Sequence, residues 1–170
     1  YEALPQGFQE LPRRPNRRES IKYTMGYERQ LVSGFFLDRY TDAEIIGQVD
    51  SDAQMYSMLI YLNVIYDGSQ KIIVRAFAGD DHWSDDAPLL AGPNSQLKPA
   101  SFDVMFADGM PMWFWRDTFA KVRSHVADVW GESSFEEAYK KYRNTYSFFS
   151  TQNVIYAYAL QAEPDKYTLR

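Results

Sequence analysis

Cysteine is absent from the 170 residues, so neither a disulfide framework nor a thiolate metal site can be built. That absence favours a reducing compartment, and the expectation is a cytoplasmic one. Apolar runs are also short, well under the ~20 residues needed to span a bilayer, and the N-terminus lacks the hydrophobic core of a signal peptide. The chain begins with Tyr rather than Met, which suggests processing or a piece of something longer. Positive charge is scarce as well. With 18 Lys and Arg against 23 Asp and Glu, the net charge is −5, the wrong sign for a general nucleic-acid binder, which must neutralise phosphates. Internal repeats and low-complexity tracts are missing too.

What is present is ordinary globular material. Hydrophobic residues at 45% and charged residues at 24% match a folded, water-soluble protein, and the length suits one domain. Aromatics are abundant, with 13 Tyr, 11 Phe and 4 Trp. They can fill a core, and tyrosine can also present the flat, hydrogen-bonding surface on which a sugar or nucleoside stacks.

Charge is unevenly placed. RRPNRR at 13–18 and DDHWSDD at 80–86 are runs of opposite sign, each of which reads as a solvated loop, the arginine run also as a contact for phosphate or an acidic partner. Residues 1–22, with three prolines, read as an irregular lead-in, and residues 23–170 as a single domain.

Within that domain, apolar residues at helical spacing predict a helix over Tyr27–Tyr40. Glu44–Val49 reads as a short buried strand that stops at Asp50-Ser51-Asp52. MYSMLIYLNVIY at 55–66 fits helix or strand equally. Lys71–Phe77 and Phe102–Ala107 read as strands, the second ending at Asp108-Gly109. Residues 78–101, with scattered Gly and Pro, predict a long loop. Arg116–Trp130 is a strong amphipathic pattern closed by Gly131. Ser134 and Glu137 form a capping-box pattern before FEEAYKKY, and Thr151–Leu160 reads as a last helix. Alternating strands and helices predict an α/β domain with its site beyond the carboxyl ends of strands.

The sharpest motif is Asp50-x-Asp52. Side chains two apart in an extended segment face the same way, and convergent carboxylates repel unless a cation shares them. Hard oxygen donors suit Mg²⁺ or Mn²⁺ held jointly with a phosphate-bearing substrate. A polar strand end with solvated acids would carry the same letters. Asp108 is either a turn residue before Gly109 or a carboxylate presented to substrate. His82 and Trp83, in the acidic loop, offer a ligand or proton carrier and a stacking ring, while loop composition alone also accounts for them. His125 reads as a packing or surface residue of its helix.

In order and texture, QLVSGFFLDRYTDAEIIGQVDSDAQM, KIIVRAF, FADGMPMWFWRDTFAKVRSHV, GESSFEEAYKKY and FFSTQNVIYAYA resemble the GT-A-fold, DxD-containing glycosyltransferases over about residues 27–167. The resemblance implies a GT-A-like, Rossmann-like mixed sheet flanked by helices. It implies Mn²⁺ or Mg²⁺ on Asp50 and Asp52, with Ser51 between them, holding the diphosphate of a UDP- or GDP-sugar donor. Asp108 would be the catalytic base or a sugar-hydroxyl ligand, beside Gly109. His82 and Trp83 would lie over the donor, and Gln152 and Asn153 would bond substrate hydroxyls. The acceptor would be a carbohydrate or glycoprotein.

The chain departs from that pattern in two respects. Thr151 stands where related enzymes often carry Glu or Gln. Only 49 residues precede Asp50, beginning with an irregular Pro/Arg-rich segment rather than a β-α unit, so the domain is expected to lack the N-terminal nucleotide-binding β-α unit. Two rival readings stay open: a non-catalytic carbohydrate-binding or assembly module, and a haloacid-dehalogenase-like phosphatase, which Gln54 and the internal position of the DxD disfavour.

Overall fold

The structure, a computed structural model, describes residues 25–49, 65–75, 77–78, 86–92, 104–105, 111–145 and 150–169. These form a mixed α/β arrangement of several helices and three two-stranded sheets. The helices are α1 (Met25–Ser33), α2 (Asp86–Ala91), α3 (Arg116–Trp130), α4 (Phe135–Thr145) and α5 (Thr151–Ala162). The strands are β1 (Ile45–Gln48), β2 (Ile72–Val74), β3 (Phe77–Ala78), β4 (Val104–Met105), β5 (Met112–Trp115) and β6 (Tyr167–Leu169). No helix among the described residues is long and apolar enough to cross a membrane.

The helix expected over Tyr27–Tyr40 is shorter. After α1 the chain tightens into a 3₁₀ helix, Gly34–Arg39, with a kink at Phe36 (φ −119°, ψ 17°). Two causes are visible. The Thr151 hydroxyl donates to the Leu31 carbonyl, inserting a side chain into the α-helical ladder. A Cβ on Gly34 would come within 2.9 Å of Thr151 Cγ2, so only glycine permits this approach of the 3₁₀ helix to α5.

β1 occupies most of the Glu44–Val49 stretch and pairs antiparallel with β5, Ile45 opposite Trp115 and Gln48 opposite Met112. Ile46, Met112 and Phe114 turn inward and are buried, as the two-residue period requires. On the other face the Trp113 ring lies across Gly47, where a Cβ would stand 2.6 Å from Cζ3. Beyond β1, the backbone of β5 meets side chains. Tyr156 Oη accepts from the Trp113 N–H at 3.0 Å and donates to the Trp113 carbonyl at 3.1 Å, and Tyr167 Oη accepts from the Trp115 N–H at 2.8 Å.

The expected strand Lys71–Phe77 divides into β2, which pairs in parallel with β6, and β3, which pairs antiparallel with β4 inside the expected strand Phe102–Ala107. The described strands therefore make separate pairs where one mixed sheet was expected. The stretch 78–101, expected as loop, holds α2. Pro88 sits in its first turn, where a missing N–H is harmless, and Leu89 and Leu90 are fully buried.

α3 has the expected bounds and buries Phe119, Val122 and Val126. Gly131 closes it in the left-handed region (φ 65°), its N–H bonded to the carbonyls of Ala127 and Asp128. Ser134 Oγ accepts from the Glu137 N–H at 3.2 Å, opening α4. Phe35, Phe114, Phe119, Tyr139, Tyr142 and Ile155 fill one core between these helices and the β1–β5 pair.

Candidate functional site

Polar side chains stand at both ends of the β1–β5 pair. At one end the register sets Gln48 opposite Met112. The segment leaving β1 there leads within two residues to Asp50 and within four to Asp52, and the segment entering β5 carries Asp108 four residues before Met112. Asp50, Ser51, Asp52, His82, Trp83, Asp108 and Gly109 themselves lie outside the described residues.

Gln48 is the polar exception on an apolar face. Its neighbours on that face, Ile46, Met112 and Phe114, are all buried. Its Oε1 is buried too and, among the described residues, has no hydrogen-bond partner. A buried acceptor left unpaired costs about 1–3 kcal/mol. The sequence reading passed over this residue. The signal was available, a polar side chain at a core-facing position in EIIGQV.

The first turn of α5 lies toward the same end, because Tyr156 reaches Trp113 while Tyr167, beyond the helix, reaches Trp115. Ser150 caps this turn, its Oγ accepting from the Asn153 N–H at 3.3 Å. Asn153 is 0% exposed, so its side chain faces protein and is closed to a substrate hydroxyl. Gln152 is half-buried, with its Oε1 accepting from Ser150 Oγ at 3.4 Å. Of the two residues expected to meet substrate here, Gln152 alone retains exposure.

The opposite end of the pair opens into a cleft of about 700 Å³. Asp38, Asp42, Glu44, Trp115, Arg116 and Lys166 are among the residues lining it. The Arg116 N–H donates to the Glu44 carbonyl at 2.9 Å, extending the β1–β5 pairing into α3. Many of these charges are already matched. Arg123 grips Asp38 with two bonds, at 2.6 and 2.8 Å. Asp117, at the head of α3, receives Lys121 at 2.8 Å and Lys166 at 2.5 Å.

Behind the cleft Glu163 is 8% exposed, and accepts from the Thr118 hydroxyl at 2.6 Å and from Lys121. The Thr118 hydroxyl also lies 2.8 Å from Tyr167 Oη. Burial alone would raise the Asp117 carboxyl, but the Lys121 and Lys166 ammonium groups outweigh it and hold it below the ordinary range. Asp117 and Glu163 hold Lys121 firmly protonated. These groups satisfy one another, which marks a structural network better than a reactive one. Among the described residues no three His, Cys, Asp or Glu side chains converge as metal ligands.

His125 is half-buried on α3, its Nε2 3.1 Å from the Leu90 carbonyl and its ring against Tyr158. Burial lowers its pKa, opposed by that hydrogen bond and by Asp128. It packs α3 against α2 and α5.

No family model, curated protein or solved structure matches the chain.

Proposed function

We propose that the protein is a metal-dependent glycosyltransferase domain of GT-A-like fold, transferring a sugar from a UDP- or GDP-sugar to an acceptor hydroxyl on a carbohydrate or glycoprotein. The observation that carries the reading is the antiparallel register of β1 and β5, with Gln48 opposite Met112. Such partners stand roughly 4.5–5.5 Å apart at Cα. Each further residue adds at most about 3.6 Å. Asp50 is therefore tethered within about 7 Å of Gln48, and Asp108 within about 14 Å of Met112. Two segments bearing three carboxylates thus issue from one end of one strand pair.

The donor set fits a hard cation. Carboxylate oxygens suit Mn²⁺ or Mg²⁺, which keep open positions for substrate phosphate oxygens. Bound there, the ion would neutralise the charge that builds on the departing nucleoside diphosphate. Asp50 and Asp52 would hold it from the β1 side. Asp108, from the β5 side, would orient the acceptor hydroxyl and take its proton as the new glycosidic bond forms. Gln152, half-buried in the first turn of α5, keeps exposure with which it could bond a substrate hydroxyl.

A titration of the protein with Mn²⁺ and a panel of nucleotide sugars tests this, with Asp50→Ala and Asp52→Ala alongside. Metal-dependent donor turnover that both substitutions abolish is the expected result. Unchanged metal and nucleotide affinity in both variants would overturn the assignment, and sugar binding without turnover would leave a binding module in its place.

A further inference from the structure

The cleft at the Trp115 end of the β1–β5 pair takes no part in the metal-dependent reaction proposed above. We propose that it is a saccharide-binding site, seating a neutral, hydroxyl-rich ring against Trp115. Its residues lie at the end away from Gln48, so this site stands or falls apart from the metal reading of Asp50 and Asp52.

A cleft of about 700 Å³ is of the size that takes a small ligand. Trp115 supplies its aromatic wall, and the indole is fixed in place. Its Nε1–H donates to the Lys166 carbonyl at 3.3 Å, its backbone N–H donates to Tyr167 Oη at 2.8 Å, and the Tyr66 ring centre stands 6.1 Å away. A side chain already held needs little further ordering when a ligand stacks on it.

Around the indole the charges divide into two sets. Asp38 is held by Arg123, and Asp117 by Lys121 and Lys166. The Asp42 and Glu44 carboxylates are exposed and have no hydrogen-bond or ion-pair partner among the described residues. Arg116 donates from Nε to the Asp38 carbonyl at 3.3 Å, and its two outer nitrogens have no partner among the described residues. One cleft thus offers unpaired acceptors and unpaired donors together.

That mixture selects the ligand. A cation over Trp115 would meet Lys166, whose Nζ already lies 5.9 Å from the ring centre. An anion at Arg116 would meet Asp42 and Glu44 in the same cleft. A sugar meets neither obstacle. Its hydroxyls donate to the carboxylates and accept from the guanidinium, in charge-assisted bonds, while the C–H face of its ring lies on the indole.

The test is a chemical-shift titration of the protein with maltotriose, cellotriose and mannotriose. Spermidine, glycine betaine and inorganic phosphate serve as cationic, zwitterionic and anionic comparisons. At least one oligosaccharide is expected to bind in the millimolar range or tighter, to move the Trp115 indole N–H resonance, and to do so without Mn²⁺ and equally in Asp50→Ala. The double variant Asp42→Ala with Glu44→Ala is expected to bind it about tenfold or more weakly. Because those carboxylates are exposed and unpaired, its melting temperature is expected to stay within about 2 °C of the unaltered protein.

Failure of all three sugars to bind, full retention of binding in the double variant, or tighter binding of any charged comparison would overturn the assignment. Sugar binding that needs Mn²⁺ and disappears in Asp50→Ala would overturn it too, while supporting the transferase site. Sugar binding in the cleft with no turnover of any nucleotide sugar would support this site and remove the transferase reading alone.

Discussion

Replacing Tyr156 by Phe isolates what one hydroxyl does for β5. The ring stays, with its stacked contact on Phe114 at a centroid distance of 4.6 Å. What disappears is the Oη that serves both the N–H and the carbonyl of Trp113, beside a Tyr156 that is 2% exposed. Each polar group left unpaired in such a place costs about 1–3 kcal/mol, so two backbone groups give about 2–6 kcal/mol, the lower end applying if water reaches Trp113. For a chain of this length each kcal/mol moves the melting point by about 2–4 °C, and the midpoint of Tyr156→Phe is expected to fall by about 4–24 °C.

Urea unfolding and calorimetry would measure this, with Tyr158→Phe as a control expected to change stability by less than about 0.5 kcal/mol. Alkali provides a second reading. Burial raises the Tyr156 phenol above its ordinary value, outweighing its hydrogen bond to Trp113. The unfolded chain ionises near pH 10, before the folded one does. The contribution is therefore whole below that pH and declines as pH rises toward the folded value, and Tyr156→Phe should flatten part of that decline. A loss under about 1 kcal/mol with an unchanged alkaline slope would refute the idea that this hydroxyl completes β5.

Three further outcomes are expected. Gly131→Ala should cost about 1–2 kcal/mol through backbone strain, because the residue sits at φ 65° with nothing within 4 Å of an added Cβ; Gly131→Asn should cost less, as denaturant midpoints would show. Gly47→Ala should cost about 1–3 kcal/mol by displacing the Trp113 ring, and a Trp113→Val background should remove most of that cost in a double-mutant cycle. His125, whose pKa is lowered chiefly by burial, contributes stability that is whole above the unfolded value near 6.5 and is lost as pH falls through the lower folded value; acid titration of unfolding free energy should show this, and His125→Phe should lessen it.

Where a signal was long and self-contained, the sequence disclosed the structure. Arg116–Trp130 repeats its apolar residues over fifteen positions, and the Gly131 and Ser134 signals beside it are local chemistry. β1 was visible as an apolar run between polar ends. β5 was not: Met112–Trp115 does alternate buried and half-buried residues, but four residues set directly against a helix provide no boundary. β6 is shorter still, and its partner β2, with Ile72 opposite Tyr167, lies far back along the chain. Thr151 shortened α1 by capturing a carbonyl 120 residues away, which no local pattern records. The candidate site divides the same way. Its acids were named from a motif and lie outside the described residues, while the pairing of β1 with β5 beside them needed coordinates. Asn153, chosen for its chemistry, is buried because it lies on the inward side of its helix.

The tyrosine hydroxyls on β5 also bear on solubility. A strand flank with free amides and carbonyls is a template on which another chain can zip up. On the flank of β5 away from β1, Tyr156 and Tyr167 already occupy the polar groups of Trp113 and the amide of Trp115. Chain-to-chain addition along that flank is blocked by side chains of the molecule itself, so the Trp-Phe-Trp strand is shielded against self-association for as long as α5 and β6 stay docked.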